Sequence, residues 1–241
     1  MYTFKTIKAN YRFVSNVLYP SGKHSIYSKI EQISVVPNLA EGLNFTLVGG
    51  DNEQINGKPL QDFDLIMSQL GHSLYPIELV VLKTGKIKRL KNLEDIKKRW
   101  QWKSDEILST YENAYWVERY IKMTTENLAD EETFMNALCR SNFMQLFFME
   151  EAASQQYIQI YDFPFTGKTI SATFDMVNSS GLEYRYQSAL EDADERICSG
   201  TGEMRVTYSD KGLPLKIAFL YRIEVAEEGY YTKKTEIELV E

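Results

Sequence analysis

The side chains best equipped for chemistry in this chain are few and widely spaced. Its two histidines, His24 and His72, each sit beside a turn with no carboxylate cluster flanking them in sequence, and no H-x-x-x-H pair exists to seed a metal site. Its two cysteines, Cys139 and Cys198, are too few for a disulfide framework and form no C-x-x-C. Both are expected to be buried, reduced thiols. A Cys–His nucleophilic pair would have to be assembled in space, because neither cysteine carries a local signature of one.

Phosphate chemistry is tested by TGKT at Thr166–Thr169. A phosphate loop needs a glycine five positions before the Gly-Lys pair, and that position is Asp162. Phe163-Pro164-Phe165 marks the segment as a strand-edge turn instead, and neither G-x-G-x-x-G nor G-x-S-x-G occurs. Among the acids, Asp192, Asp194 and Glu195 resemble part of a calcium loop but lack its glycine and its terminal glutamate spacing, so Glu191–Glu195 reads as a solvated acidic loop. Asp130–Glu132 suits a helix start, where the helix dipole favours negative charge. Glu150-Glu151 is a carboxylate pair of a kind too common here to mark a site, and glycoside hydrolysis would need two carboxylates brought together in a cleft. No catalytic residue, metal ligand or cofactor is assigned.

One stretch stands out by charge. Leu79–Lys103, LVVLKTGKIKRLKNLEDIKKRWQWK, holds nine Lys and Arg against Glu94 and Asp95, in a chain whose formal net charge is -7. In its first half, Lys83, Lys86, Lys88, Arg89 and Lys91 flank a strand–turn–strand, and they are the candidate patch for an acidic partner. The simpler reading is a wet sheet surface, since Lys86, Lys88 and Lys91 alternate with Ile87 and Leu90. In its second half, the charges interleave with a buried stripe of Leu93, Ile96 and Trp100, and Glu94–Lys98 and Asp95–Arg99 pair at i, i+4. Glu191–Glu195 is a further candidate to neutralise the patch within the molecule. The negative total disfavours binding to nucleic acid, whose phosphates the chain as a whole would repel.

Aromatic residues supply the remaining candidates. Phe174, Tyr184, Tyr186, Phe219 and Tyr221 fall on alternating positions of neighbouring strands. They form either ordinary sheet-to-helix core or the lining of an apolar pocket, a setting that suits tyrosine's apolar body and polar tip.

The elements that must carry these residues follow from periodicity. Tyr11, Phe13, Ser15, Val17 and Tyr19 alternate along a first strand. His24–Val36 is a second, with Tyr27, Lys29, Glu31, Ile33 and Val35 on one side, and Leu43–Val48 is a third, closed by GGDN at Gly49–Asn52. A short helix carries Leu60, Phe63, Ile66, Met67 and Leu70 on one stripe and ends at Gly71. Ile77–Leu82 and Ile87–Leu90 form a hairpin. From Asn92, an expected N-cap, to Ala153 the chain is helical with short interruptions, one of them near Ser104. The stripe through this region includes Ile107, Leu108, Tyr111 and Tyr115, and Asp130 caps a further helix. Strands then return to the end: Tyr157–Tyr161, Ile170–Met176, Glu183–Ser188, Ile197–Tyr208, Leu215–Val225 and Tyr230–Val240.

Strands joined by tight turns pair antiparallel. Segregated helices with antiparallel strands place the chain in the α+β class. The expectation is a large curved antiparallel β-sheet, half-barrel-like, built from N- and C-terminal strands, with the central helices packed on it. It would be a single unit over 1–241, with strands and one short helix in 1–92, helices in 93–153 and strands in 154–241. The helices carry too many aromatics, Trp100, Trp102, Tyr111, Tyr115, Trp116, Phe134, Phe143, Phe147 and Phe148 among them, to bury against one another alone. Glu78–Leu90 and Met204–Phe219 echo one another as strand–turn–strand, without a repeat period to support duplication.

No apolar run has the length of a signal peptide or of a membrane span, so a soluble cytoplasmic protein is expected unless a leader preceded Met1. The functional expectation is a non-catalytic protein that binds another protein. The alternative is a carrier of a small apolar molecule or lipid in an aromatic-lined pocket, and the third reading is an enzyme whose carboxylates are dispersed in sequence.

Overall fold

The computed structural model of the chain describes residues 6–38, 40–82, 84–111, 114–150, 153–190, 196–210 and 212–240. Lys83 and the acidic run Glu191–Glu195 lie outside them, as does Glu151. The alternating segments become strands β1 (Ile7–Leu18), β2 (His24–Asn38), β3 (Gly42–Ile55), β4 (Lys58–Pro59), β5 (Ile77–Val81) and β6 (Ile87–Leu90). After the helices come β7 (Gln155–Tyr161), β8 (Thr169–Ser180), β9 (Glu183–Leu190), β10 (Ile197–Tyr208), β11 (Pro214–Val225) and β12 (Gly229–Val240). The helices are α1 (Asp62–His72), α2 (Leu93–Thr110), α3 (Tyr115–Asn127), α4 (Glu131–Leu138) and α5 (Asn142–Phe147).

Among the described residues the strands form one open sheet in the order β6-β5-β3-β2-β1-β12-β11-β10-β9-β8-β7, with β4 paired to β3 off this path. Every pairing is antiparallel. The two sequence halves meet where β1 pairs with β12, from Asn10 opposite Val240 to Leu18 opposite Thr232. β1 also pairs along its length with β2, and β12 with β11.

One face of the sheet is apolar and the helices cover it. α2 buries Ile96, Trp100 and Ile107, and α5 buries Phe143, Met144, Leu146 and Phe147. Phe147 stands edge-on to Tyr11 of β1 with ring centroids 4.9 Å apart, lies 5.5 Å from Phe45 of β3, and stacks on Phe143 at 5.3 Å. α5 also contacts β7, β11 and β12, so this one short helix touches strands from both ends of the chain. Aromatic pairs of this kind add about 0.5–1.5 kcal/mol each beyond their burial.

Several local expectations give way to longer-range contacts. β3 does not close at GGDN. It runs on to Ile55 through two register shifts against β2, one at Gln32/Ile33 and one between Ser28 and Ile30. Asn92 is not a side-chain cap, since its amide accepts from the Glu78 N–H at 3.0 Å and donates to the Pro76 carbonyl at 2.9 Å. Arg99 does not pair with Asp95. Its guanidinium donates to the carbonyls of Ser73, Leu74 and Pro76 at 3.2, 3.1 and 2.9 Å, tying α2 to the end of α1, while the ion pairs on α2 run i, i+3 from Glu94 to Lys97 and from Asp95 to Lys98. Ser104 does not break the helix, being buried within α2, and Tyr111 at the end of α2 and Tyr115 on α3 fall off the buried stripe. Asp130 does cap α4, accepting from the Thr133 N–H at 2.8 Å. Both cysteines are exposed rather than buried, Cys139 at the end of α4 and Cys198 on the outer face of β10.

Close packing on the C-terminal half depends on one missing side chain. A Cβ on Gly202 of β10 would lie 2.5 Å from Cζ of Phe174, whose ring also stands edge-on to Phe219 at 5.4 Å. Gly202→Ala is expected to destabilise the fold by about 1–3 kcal/mol through overpacking. Gly71→Ala, where nothing lies within 4 Å, is expected to be neutral or to stabilise by about 0.4–1 kcal/mol. Urea unfolding of the two variants checks the pair, and equal effects would contradict the packing described.

Candidate functional site

A cavity of about 810 Å³ lies where the N-terminal strands meet the helices. Its walls come from β1–β3, α1 and the α1–β5 link, and from α3, α4 and α5. Phe13, Leu47, Phe134 and Phe143 supply apolar surface, and Phe13 meets Phe143 edge-on at 6.3 Å.

Set into this apolar wall is a group of polar side chains. Lys29 and Glu31 project from the same face of β2 as Tyr27, Ile33 and Val35, and they form an ion pair. Glu31 is only 1% exposed. Its Oε1 also accepts from the Tyr75 hydroxyl at 3.4 Å, whereas Oε2 is buried with no hydrogen-bond partner among the described residues. On β3, Glu53 meets His72 of α1, with Nε2 3.0 Å from Oε1.

Local backbone features make room for these groups. The two register shifts between β2 and β3 are β-bulges, which bend a strand and re-aim its side chains. Gly50, paired with Glu31, has no side chain because a Cβ there would sit 2.9 Å from the Ile30 carbonyl and 3.6 Å from the Glu31 carboxylate. Asn52, beside Glu53, adopts a positive φ of 53°, as asparagine tolerates.

The electrostatics follow from this arrangement. The hydrogen bond from His72 holds the Glu53 carboxyl below its ordinary range, against the opposing effect of burial. The same bond raises His72 above its ordinary value, again against burial. Burial raises the phenols of Tyr27 and Tyr75, and the nearby carboxylates raise them further. The pairing therefore favours the ionised carboxylate of Glu53 and the protonated ring of His72, while both tyrosines stay neutral hydrogen-bonding groups.

The residues singled out from the sequence lie elsewhere. Phe174, Tyr184, Tyr186, Phe219 and Tyr221 are all buried in the C-terminal half of the core, and none lines this cavity. Tyr186 and Phe219 border a second depression of about 590 Å³, shared with outward-facing residues such as Arg185, Glu203 and Lys216. In the basic stretch, Lys88 and Arg89 hold Glu41 between them at 3.2 and 2.9 Å, and Lys91 lies 3.8 Å from Glu78. Lys86 is exposed. Among the described residues, the acids that form ion pairs with this patch are Glu41 and Glu78. His24 is exposed at the start of β2, and TGKT forms a turn in which the Gly167 N–H donates to Asp162 at 2.7 Å. Among the described residues no three His, Cys, Asp or Glu side chains gather as a metal-ligand set, and no helix is long and apolar enough to cross a membrane.

Sequence reasoning weighed His72 as a lone histidine beside a turn and gave no site role to it or to Lys29, Glu31, Glu53 and Tyr75. One signal was present: two charged residues on the apolar side of β2. The contacts of His72 with Glu53 and of Tyr75 with Glu31 span 19 and 44 residues, and no local pattern reveals them.

No protein-family model matches the chain, and no curated protein matches it in sequence. Among solved structures, the chain is similar to one described as lipid-protein interactions in lipovitellin, at 8% identity and a TM-score of 0.45. The match covers 99% of this chain and 25% of that one, so this chain spans about a quarter of that protein's length.

The His72–Glu53 pair makes stability depend on pH with a definite sign. Protonated His72 contributes fully below its ordinary value of 6.5, and the contribution is lost as pH rises through its raised value in the fold. Ionised Glu53 contributes fully above its ordinary value of 4.5, and the contribution is lost as pH falls through its lowered value. The stability difference between the wild type and His72→Gln is therefore expected to be greatest between these two values and to shrink on either side. Urea titrations across pH check it, and a difference that grows as pH rises above neutrality would contradict the pairing.

Proposed function

We propose that this chain is a non-catalytic binding protein that holds a small apolar or amphipathic molecule in the cavity between its N-terminal strands and its helices. The observation that carries this reading is the cavity itself: about 810 Å³ of mostly apolar space with a few convergent polar groups. That size falls within the roughly 300–1,000 Å³ of small-molecule sites, and those sites are lined in the same way. In this reading the chain acts as one α+β unit whose sheet curves about the helices as a half-barrel. The unbroken pairing from β6 to β7 and the contacts of α5 with strands of both halves support that part of it.

Two observations favour other readings. The structure brings together dispersed titratable groups, as an enzyme's cleft would. The shifts do not all point one way: Glu53 becomes a weaker base and the tyrosines weaker acids than in water, whereas Glu53 raises His72 above its ordinary value. On the outside, Trp102, Tyr115 and Trp116 are 70%, 61% and 63% exposed, which suits contact with a protein partner.

Native mass spectrometry of the full chain purified from its own host tests the cavity reading. A non-covalent small-molecule adduct is expected, and it should be lost when Ala137, on the cavity wall in α4, is replaced by Trp to fill the space. A ligand present at a hundred times its Kd would stabilise the fold by about 2.7 kcal/mol, raising Tm by several degrees. A chain that carries no adduct and gains no thermal stability from any alkyl probe would overturn the reading.

A further inference from the structure

Going beyond the cavity reading, we infer that the outer side of the α1–α3 helical layer docks the protein on a phospholipid membrane surface.

The argument begins with large apolar side chains left in water on three neighbouring helices. α2 lies against both α1 and α3. Trp102 stands about 200° around α2 from the buried Trp100, so it points away from the core. Phe63 and Leu65 are exposed on α1, and Tyr115, Trp116 and Met123 on α3. Exposed apolar side chains gathered in this way mark contact with a protein or a membrane. The two outer helices also wall the cavity, α1 through Met67 and Gly71 and α3 through Tyr120 and Thr124. On α3, Trp116, Tyr120, Met123 and Asn127 follow one another at steps of four, three and four. The exposed stripe and the cavity lining therefore share one side of that helix. A membrane at this face lies beside the cavity.

The charges on this face favour lipid over a protein partner. Nζ of Lys103 is 5.8 Å from the ring centre of Trp102, and the guanidinium of Arg119 is 6.0 Å from that of Trp116. The core of a protein interface is depleted of such charges, because it would strip their water. At a bilayer surface they stay hydrated and meet phosphate, while Trp and Tyr rest at the head-group level and Phe, Leu and Met reach the acyl boundary. Lys98 and Lys103 are already paired with Asp95 and Glu106. Arg119 and Lys122 form no ion pair among the described residues, although Glu118 and Glu126 share their helix, so these two cations are open to lipid phosphate.

The test floats the full-length wild type on vesicles of phosphatidylcholine with about a third phosphatidylserine. The protein is expected to rise with the vesicles. Trp102→Ser and Trp116→Ser, both at exposed positions, are each expected to weaken partitioning by about tenfold, the scale of one large apolar side chain leaving water. Replacing both Arg119 and Lys122 by Gln is expected to weaken it by a further tenfold or more, at about fivefold per cation. Tyr157→Ser, equally exposed but on β7, is expected to change nothing. A second measurement needs no variant: phosphatidylcholine brominated on its acyl chains should quench the indole emission of the wild type, since Trp102 and Trp116 would sit at the bilayer. A wild type that stays in the lipid-free fraction would overturn the inference and leave the exposed aromatics to a protein partner. Flotation without quenching, or flotation weakened as much by Tyr157→Ser as by Trp116→Ser, would overturn it as well. These outcomes are separate from the small-molecule adduct, which tests the cavity reading whether or not the protein floats.

Discussion

The antiparallel pairing of β1 with β12 is the constraint on which the rest of the structure depends. It joins the two ends of the chain, from Asn10 opposite Val240 to Leu18 opposite Thr232, and so turns two strand regions separated by four helices, α2–α5, into one sheet. Without it there would be no common apolar face for α5 to cover. Phe147 and its neighbours would then pack against half of a sheet and expose the remainder. The pairing is costly in chain entropy because it closes nearly the whole polypeptide into a loop. That cost grows only slowly with loop length, and the apolar burial on both sides offsets it.

A sheet built in this way has two unlike halves. In β8–β12, which have register shifts of their own at Met176/Asn178, Ile197/Ser199 and Thr207/Tyr208, alternate residues such as Met204, Val206, Phe219 and Tyr221 fill a tight core in which Gly202 is needed to admit the Phe174 ring. β2 and β3 are bulged, and their core face carries Lys29, Glu31 and Glu53 among aromatic and aliphatic side chains. Burying these charges disfavours folding relative to an apolar wall of the same shape, since the mutual attraction of a buried pair seldom exceeds its desolvation cost. A chain that keeps them, beside a cavity, gives up stability at that place. Buried charge concentrated on one half of the sheet is the pattern expected where function rather than folding sets the residue.

Much of the fold was legible in the sequence, because it rests on local periodicity. The alternation along Tyr11–Tyr19 and Leu215–Val225 and the stripe of Ile96, Trp100 and Ile107 all found their elements. So did the cap at Asp130. Where local reasoning stopped short, a distant group had claimed the side chain. Asn92 has the residue type of an N-cap but serves β5 and Pro76 instead. Arg99 stands four residues after Asp95, yet three carbonyls at the end of α1 outcompete it, because a guanidinium with several donors gains more from fixed acceptors than from one exposed carboxylate. GGDN looked like a turn because glycine and asparagine also make turns, and here they make bulges. The site was the least legible part. Lys29 and Glu31 were visible as charges on an apolar stripe, but the partners that give them meaning, Tyr75, Glu53 and His72, arrive from other elements.

The account's central claim is that the cavity beside Glu31 is a site for an amphipathic molecule and not a packing defect. The most direct measurement is a crystal structure of the full chain as purified from its own host, with the electron density inside the cavity examined. The account predicts continuous, elongated density whose body runs along Phe13 and Phe143. A cavity closed by inward rotation of Tyr75 or Phe143, or one holding only isolated waters, would contradict it.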